Sequence, residues 1–182
     1  MVPQAQNNGH EEDSTLTLPD GVDIPVRSIQ PDDVPALQRF HSRLSERTVY
    51  LRFFGPMEEF SEEKARYFAH TDGVDHVALV ALDPDEPDEI IAVVRYDREP
   101  GSERAEYAAL VEDRWQGHGL GIRLTHILID EARDKEVQFL YGLVMPQNGR
   151  MLNLLRDLGL PEQERREGGA KYVEVELQSE GS

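Results

Sequence analysis

VEDRWQGHGLGIRL, residues 111–124, joins an apolar run to a helical pattern through three glycines at alternate positions, Gly117, Gly119 and Gly121. Glycine lets the backbone approach a bulky group closely and adopt conformations that other residues avoid. The helix that follows offers unpaired N–H groups and the positive end of its dipole to the same place. The stretch therefore predicts a site for an anion or an anionic cofactor.

Two common phosphate-binding motifs do not fit this stretch. A dinucleotide fingerprint needs a glycine where Ile122 stands, and a P-loop needs a lysine, but none lies between Lys64 and Lys135. What remains is Gln116-x-x-Gly119-x-Gly121 at a strand-to-helix turn, where the Gln116 amide can add a donor. His118 and Arg123 can add positive character. The competing interpretation is a tight corner without a ligand.

Composition excludes several classes of function. The chain has 182 residues, no cysteine and a formal net charge of −17, so disulfides, thiolate chemistry and nucleic-acid binding are not expected. An anionic ligand would have to be held by local donors against this charge. The N-terminus lacks the pattern of a secretory signal, and no apolar run is long enough to span a bilayer, so we expect a cytoplasmic protein.

The periodicity of apolar residues predicts an α+β (mixed α/β) domain with one sheet between helices. Residues 1–22 are polar and are expected to form a disordered arm, and the acidic run 83–89 is expected to be a hairpin tip. Strands are predicted at 24–29, 77–82, 90–96, 103–112, 139–144 and 172–177, and helices at 31–44, 45–53, 61–69, 120–132 and 151–158.

The Gln-x-x-Gly-x-Gly motif in this element order resembles the acyl-CoA loop of the GNAT superfamily of N-acetyltransferases. Asn148 followed by Gly159-Leu160 is similar to that superfamily's second cofactor element. LSERTVYLRFFGP, RAEYAALVEDRWQGHGLG and PQNGRMLNLLRDLGL resemble the bacterial Pat-type protein lysine acetyltransferases. The resemblance implies the GNAT acyl-CoA N-acyltransferase fold over residues 23–177, with one mostly antiparallel central sheet, and a tail at 178–182.

The resemblance also implies that acetyl-CoA is the co-substrate, with its pyrophosphate on residues 116–121. Its pantetheine arm would pair with backbone near Val111, where the central strand parts from its neighbour, and would contact Asn148. Asn148 could equally be a helix N-cap, which asparagine does well. The expected cofactor-binding residues are Val111, Gln116, Gly117, His118, Gly119, Leu120, Gly121 and Asn148.

Glu106 lies where the Pat-type enzymes place their general base, and the resemblance assigns it that role. A lysine amine, with a pKa near ~10.4, must lose a proton before it attacks a thioester. Withdrawal of Glu106 from water inside the sheet would make it a better base. The alternative is a strand glutamate paired with Arg104 or Arg95. Two other carboxylates, Glu103 and Glu112, are weaker candidates.

Three further expectations concern the acceptor side. Many superfamily members have a tyrosine that protonates the leaving thiolate, and Leu155 occupies that position, so no residue is assigned to this step. The aromatic residues of Tyr50–Phe54 are expected in the core, and Arg52 is a candidate functional residue. The histidines show no spacing typical of metal ligands, so no metal is expected.

The resulting hypothesis is a stand-alone N-acetyltransferase that transfers acetyl from acetyl-CoA to a protein lysine in a ternary complex. An acyl-CoA synthetase is the partner class that the resemblance implies; neither nucleic acid nor membrane is expected. Two alternatives remain open: a small-amine acetyltransferase with a closed, acidic acceptor pocket, and a non-catalytic acyl-CoA sensor. A sensor would tolerate Glu106→Gln without loss of function.

Overall fold

A computed structural model describes residues 14–57 and 59–177. The described residues form eight strands, five α-helices and two short 3-10 helices, at Pro31–Asp33 and Asp113–Trp115. The strands are β1 (Ser14–Thr17), β2 (Asp23–Ser28), β3 (His76–Leu82), β4 (Ile90–Arg98), β5 (Arg104–Val111), β6 (Phe139–Val144), β7 (Glu162–Glu167) and β8 (Ala170–Glu176). The helices are α1 (Val34–Ser42), α2 (Glu46–Phe53), α3 (Glu62–Ala69), α4 (Leu120–Asp134) and α5 (Gly149–Asp157).

The strands make a single sheet in the order β1-β2-β3-β4-β5-β6-β8-β7. Every neighbouring pair is antiparallel except β5 and β6, which run parallel. The crossover between those two strands contains α4, as a parallel connection requires. The prediction of one mostly antiparallel sheet flanked by helices is confirmed.

Each face of the sheet packs on its own group of helices. One face buries residues such as Val94 and Tyr96 against Leu124 and Leu128 of α4. The opposite face buries Val80 and Val93 with α1 and α3. Alternation along the strands produces this division, because successive side chains point to opposite faces. The described helices include none that is long and apolar enough to cross a membrane.

The predicted disordered arm is partly wrong. Residues 14–17 pair with β2 as an edge strand, and Leu16 and Leu18 bury their side chains in the core. Alternating threonine and leucine suit such a strand, but four residues are too few for periodicity to reveal it. Residues 1–13 of the predicted arm and the predicted tail at 178–182 lie outside the described residues.

The far edge of the sheet also differs from the prediction, which closed the sheet with residues 172–177. Those residues fall in and after β8, which is covered by the further strand β7. The sequence of β7 is EQERRE, and five of its six residues are exposed. Charged side chains are typical of an edge strand, because they oppose pairing with another chain. The same charges leave no apolar pattern by which the strand could be predicted.

Candidate active site

The glycine loop folds as a left-handed turn that leads directly into α4. Gly117 and Gly119 have φ values of 80° and 84°, a region that residues with a Cβ rarely adopt. Gly119 is the N-cap of α4 and makes no side-chain cap hydrogen bond. The free N–H groups of the first turn therefore face outward from the loop, as an anion site requires.

Gly121 serves a different purpose, because the first turn of α4 passes close to two side chains. A Cβ at this position would lie 3.2 Å from Leu154 Cδ1 and 3.4 Å from Val111 Cγ2. Its lack of a side chain thus sets the distance between α4, β5 and α5. The loop also touches the N-terminal segment, since a Cβ at Gly119 would lie 3.3 Å from Pro19 Cδ.

Gln116 braces the loop from within the protein. Its Nε2 atom donates hydrogen bonds to the Val111 carbonyl oxygen at 2.9 Å and to Thr48 Oγ1 at 3.2 Å. We expected this amide to be available to a bound anion, and in this structure it instead ties the loop to β5 and α2. Trp115 packs against the core beside the loop, with its indole Nε1 atom buried and without a hydrogen-bond partner among the described residues.

The two parallel strands part in the middle of the sheet. Pairing between β5 and β6 ends at Glu106 and Tyr141, after which β6 continues alongside β8 alone. Beyond that point β5 has β4 on one side and a gap on the other. The amide of Glu112 bonds to Ile91 of β4, so by ladder alternation the N–H and carbonyl of Val111 point into the gap. The predicted parting of the central strand from its neighbour is confirmed.

A cavity of about 670 Å³ occupies this gap. Every residue from 106 to 111 lines it, and since successive residues face opposite sides of a sheet, the cavity passes between the strands from one face to the other. Seven of the eight predicted cofactor residues line it: Val111, Gln116, Gly117, Gly119, Leu120, Gly121 and Asn148. His118 does not; its exposed ring lies edge-on to Trp115, with centroids 6.4 Å apart.

Positive charge is concentrated at the loop despite the acidic character of the chain. Arg150 Nη1 lies 3.5 Å from where a Cβ of Gly117 would be, and Arg123 Nε lies 3.9 Å from the corresponding point at Gly119. Neither arginine forms an ion pair with a carboxylate of the described residues. Arg123 was predicted from the sequence and Arg150 was not, although the position of Arg150, two residues after Asn148 at the start of α5, was an available signal.

Asn148 is the N-cap of α5, with its Oδ1 atom accepting a hydrogen bond of 3.2 Å from the Met151 amide. The N-cap interpretation is therefore confirmed, while contact with a bound ligand stays a prediction. Leu155 is 4% exposed within the core. Tyr107 also lines the cavity, but burial raises the pKa of its phenol, which hydrogen-bonds to Thr125 at 2.7 Å.

Glu106 is exposed at the mouth of the cavity and has no ion-pair partner among the described residues. Both arginines that could have paired with it are engaged elsewhere: Arg104 Nε with Glu174 at 3.1 Å, and Arg95 Nε with Asp97 at 3.3 Å. The structural alternative of a salt bridge is thus not realised. Our expectation that the sheet would withdraw Glu106 from water is wrong, because the parting of β5 from β6 leaves this side chain accessible.

The competing carboxylates are less suited to act as a base. Glu112 is 4% exposed and lies between Arg43 Nε at 3.3 Å and Arg114 Nε at 2.8 Å. Glu103 lies before β5, 3.7 Å from Arg104, and does not line the cavity. Glu106 therefore stands apart from both as an accessible carboxylate on the cavity wall.

Helix α2 also lines the cavity. The burial of its aromatic residues differs from the prediction. We expected the aromatic residues of this segment in the core, but Tyr50 is 42% and Phe54 45% exposed, and α2 buries no residue fully. Phe54 has a φ of 62°, a conformation that costs a non-glycine residue energy. Arg52 lines the cavity together with Glu106.

The residues around the gap fit acetyl-CoA. The loop offers backbone donors and two arginines for phosphate groups, and the gap exposes the Val111 amide as a strand partner for an amide-rich chain. No group of three or more residues suited to holding a metal is present in the described part of the chain.

Comparison with known proteins agrees with this geometry. The family described as the Acetyltransferase (GNAT) family matches residues 39–160. An acetyltransferase of Pseudomonas aeruginosa is 28% identical over 144 residues, which cover 79% of this chain and 77% of that protein.

Two solved structures are similar to the whole domain. The GNAT domain of S. lividans Pat has a TM-score of 0.84 and 31% identity, covering 90% of this chain and 96% of that one. A cAMP-binding acyltransferase from Mycobacterium smegmatis has a TM-score of 0.65 and 24% identity, covering 92% of this chain but 48% of that one. The first supports the resemblance to Pat-type enzymes, and the second shows the shared fold.

Proposed function

This chain belongs to the GNAT family of acetyltransferases, and from that premise we propose that it transfers the acetyl group of acetyl-CoA to the side-chain amine of a protein lysine. The observation that carries the proposal is the accessible, unpaired carboxylate of Glu106 at the open mouth of the cavity between β5 and β6.

The donor side is supported by the loop and the gap. Amides of the loop and the first turn of α4, with Arg150 beside them, would hold the pyrophosphate. The Val111 amide and Asn148 would hold the pantetheine arm and bring the thioester towards Glu106. A backbone N–H group near Val111 in the gap would stabilise negative charge that develops on the thioester oxygen.

Glu106 would act as the general base. It accepts a proton from the lysine ammonium, directly or through water, and the neutral nitrogen then attacks the acetyl carbon. A carbon–nitrogen bond forms while the carbon–sulfur bond breaks, and the thiolate leaves with the electron pair. The nitrogen passes its second proton to water, from which the thiolate takes up one proton, and Glu106 releases the first proton to solvent before the next turnover. A thiol pKa near ~8.5 makes the thiolate a tolerable leaving group, which is consistent with Leu155 at the position of the usual acid.

The acceptor side favours a macromolecule. Leu143 on β6 and Phe54 after α2 are 49% and 45% exposed, and both line the cavity beside Glu106. Exposed apolar side chains around a cleft are typical of a surface that contacts another protein. A small-amine enzyme would be expected to have a closed, acidic pocket. An acyl-CoA synthetase is the acceptor class that we propose, on the strength of the resemblance to the Pat-type enzymes.

The experiment incubates a purified acyl-CoA synthetase with acetyl-CoA and this protein, and measures the intact mass of the synthetase. Wild type is compared with Glu106→Gln, and Glu103→Gln serves as a matched control because Glu103 lies on the same segment but off the cavity. A thermal-shift titration with acetyl-CoA checks that each variant still binds the co-substrate.

A mass gain of one acetyl group with wild type and Glu103→Gln, but not with Glu106→Gln, is the expected result. Loss of a general base typically lowers the rate by about 10²–10⁴-fold. No gain with wild type that still binds acetyl-CoA would reject the synthetase as acceptor. Equal gain with Glu106→Gln would reject Glu106 as the base.

A further inference from the structure

Arg52 is a cation on the wall of the candidate active site that forms no salt bridge with the described residues. It lines the main cavity with Glu106, and it also lines a small second cavity behind α2. Its guanidinium lies 4.7 Å from the centroid of the Phe53 ring. It makes no hydrogen bond or ion pair with the described residues, although the chain has 36 acidic residues for 19 basic ones.

The titratable groups around Arg52 come from three elements, β4, β5 and α1. Burial lowers the pKa of Arg52, as does the nearby cation Arg95 on β4, while Glu106 on β5 and Asp97 on β4 oppose this effect. On α1, burial and then Arg52 lower the pKa of His41 to about 4, so this imidazole is neutral at physiological pH. Arg52 thus lies within electrostatic range of the carboxylate at the cavity mouth without forming a salt bridge to it.

Arg95 is a fixed cation behind Arg52. Its side chain is 7% exposed, its Nε atom lies 3.3 Å from Asp97, and its Nη1 atom donates to the Phe68 carbonyl at 3.1 Å. The guanidinium also lies 4.9 Å from the centroid of the Phe68 ring. Of these two arginines, Arg52 is the one that lines the main cavity with Glu106.

A lone carboxylate is a poor base for an ammonium group. A negative charge beside an ammonium stabilises the protonated form as an ion pair, and so opposes the proton transfer that must precede attack. A neighbouring cation has the opposite effect, because it favours the neutral amine. An active site that binds lysine through Glu106 alone would therefore hold it firmly in the unreactive form.

We propose that Arg52 offsets the attraction of Glu106 for the acceptor ammonium, so that the ammonium bound beside Glu106 loses its proton, directly or through water, more readily and becomes the neutral nucleophile. This inference rests on the proposed function in that it places the acceptor amine beside Glu106, but it applies to any amine that enters there. Arg52 acts through its charge: it influences the protonation state of the acceptor amine and does not itself exchange a proton.

The test compares wild type with Arg52→Gln and Arg52→Lys, with Arg47→Gln as a matched control because Arg47 is an exposed arginine on the same helix. Two acceptors are assayed in parallel at saturating acetyl-CoA: a pool of synthetic lysine peptides, and n-butylamine. The values of kcat and of acceptor KM are measured across pH, since kcat reports ionisations in the bound complex. The Kd for acetyl-CoA of each variant shows that the fold and the donor site are intact.

Arg52→Gln should lower acceptor KM and also lower kcat, and the acid limb of the kcat profile should move up by about one pH unit. Arg52→Lys should restore the profile, and Arg47→Gln should match wild type. A purely structural loss would raise KM and leave the limb in place. An unchanged limb in Arg52→Gln, on whichever acceptor is turned over, overturns the inference. If n-butylamine is acetylated and the lysine peptides are not, the protein-lysine proposal is rejected, and the pH profile with n-butylamine still tests the role of Arg52.

Discussion

The Nε2 atom of Gln116 donates a hydrogen bond of 2.9 Å to the carbonyl oxygen of Val111. This bond joins the start of the glycine loop to the end of β5, so the anion-binding amides and the edge of the gap are held at a fixed spacing. The same amide reaches Thr48 on α2, which connects the loop to the helix that carries Arg52. One side chain thus links the donor and acceptor sides of the cavity.

Replacing Gln116 with Ala should weaken acetyl-CoA binding by about fivefold, because one hydrogen bond of ordinary strength is worth about 1 kcal/mol. Isothermal titration calorimetry measures the effect. Gln163→Ala, on the exposed edge strand β7, is the control and should bind like wild type. Unchanged affinity in Gln116→Ala would mean that the loop keeps its shape without this brace.

Gly121→Ala should destabilise the protein, since the new methyl group would approach Leu154 and Val111 more closely than ordinary contacts allow. Overpacking of this kind costs about 1–3 kcal/mol, which urea unfolding can resolve. Gly149→Ala is the matched control: it lies at the first position of α5, with nothing within 4 Å of its Cβ. That substitution should be neutral or slightly stabilising. Equal stabilities would show that Leu154 moves aside without cost.

Arg150→Ala should weaken acetyl-CoA binding about fivefold at low salt, and the difference from wild type should shrink as salt is added, because the lost interaction is electrostatic. Arg166→Ala, an exposed arginine of β7, controls for the change in net charge. The Kd for acetyl-CoA of each variant, measured from low to high ionic strength, tests this prediction. Parallel salt curves for wild type and Arg150→Ala would remove Arg150 from the phosphate site.

Asp113 should make stability depend on pH. Its burial opposes ionisation, but hydrogen bonds from the Ser45 amide and hydroxyl and the Thr48 hydroxyl outweigh this and lower its pKa. A carboxylate with a depressed pKa contributes stability above its unfolded pKa, and that contribution is lost as pH falls through the folded value. Asp113→Asn should cost about 1 kcal/mol near neutral pH, discounted for exposure.

Urea unfolding between pH 7 and pH 3 measures this contribution of Asp113. The difference between wild type and Asp113→Asn should narrow towards the acid end, because the wild-type carboxylate then becomes protonated. Asp130→Asn, an exposed position on α4, should show no comparable trend. A difference that stays constant with pH would mean that Asp113 acts through packing and not through its charge.

Regular elements with an apolar stripe were predictable from the sequence, and β1 and β7 were not. Leu124 and Leu128 repeat at helical spacing because they cover one face of the sheet, so α4 could be inferred. The edge strands bury little and therefore carry little periodic signal. Phe54 was misjudged for a related reason: aromatic residues are buried on average, and nothing local marks one that lines a cleft.

In the candidate active site, too, some features could be predicted from the sequence and others could not. The glycine loop could be predicted because its backbone demands particular residue types at adjacent positions in the chain. The freedom of Glu106 could not, because it depends on Arg104 and Arg95 finding partners elsewhere, and on β6 turning away after Tyr141. These are contacts between segments distant in sequence, which one sequence alone does not reveal.

The contact between Pro19 and Gly119 shows that residues before the family match support the glycine loop. The family match starts at residue 39, yet β1 and β2 complete the sheet with fully buried side chains such as Ile24, and Pro19 rests against the loop that opens α4. A shortened protein that starts at residue 39 would lose β1 and β2, whose side chains are part of the core, and also Pro19, which packs against the glycine loop. The segment that builds the intact core and loop is therefore longer than the family match.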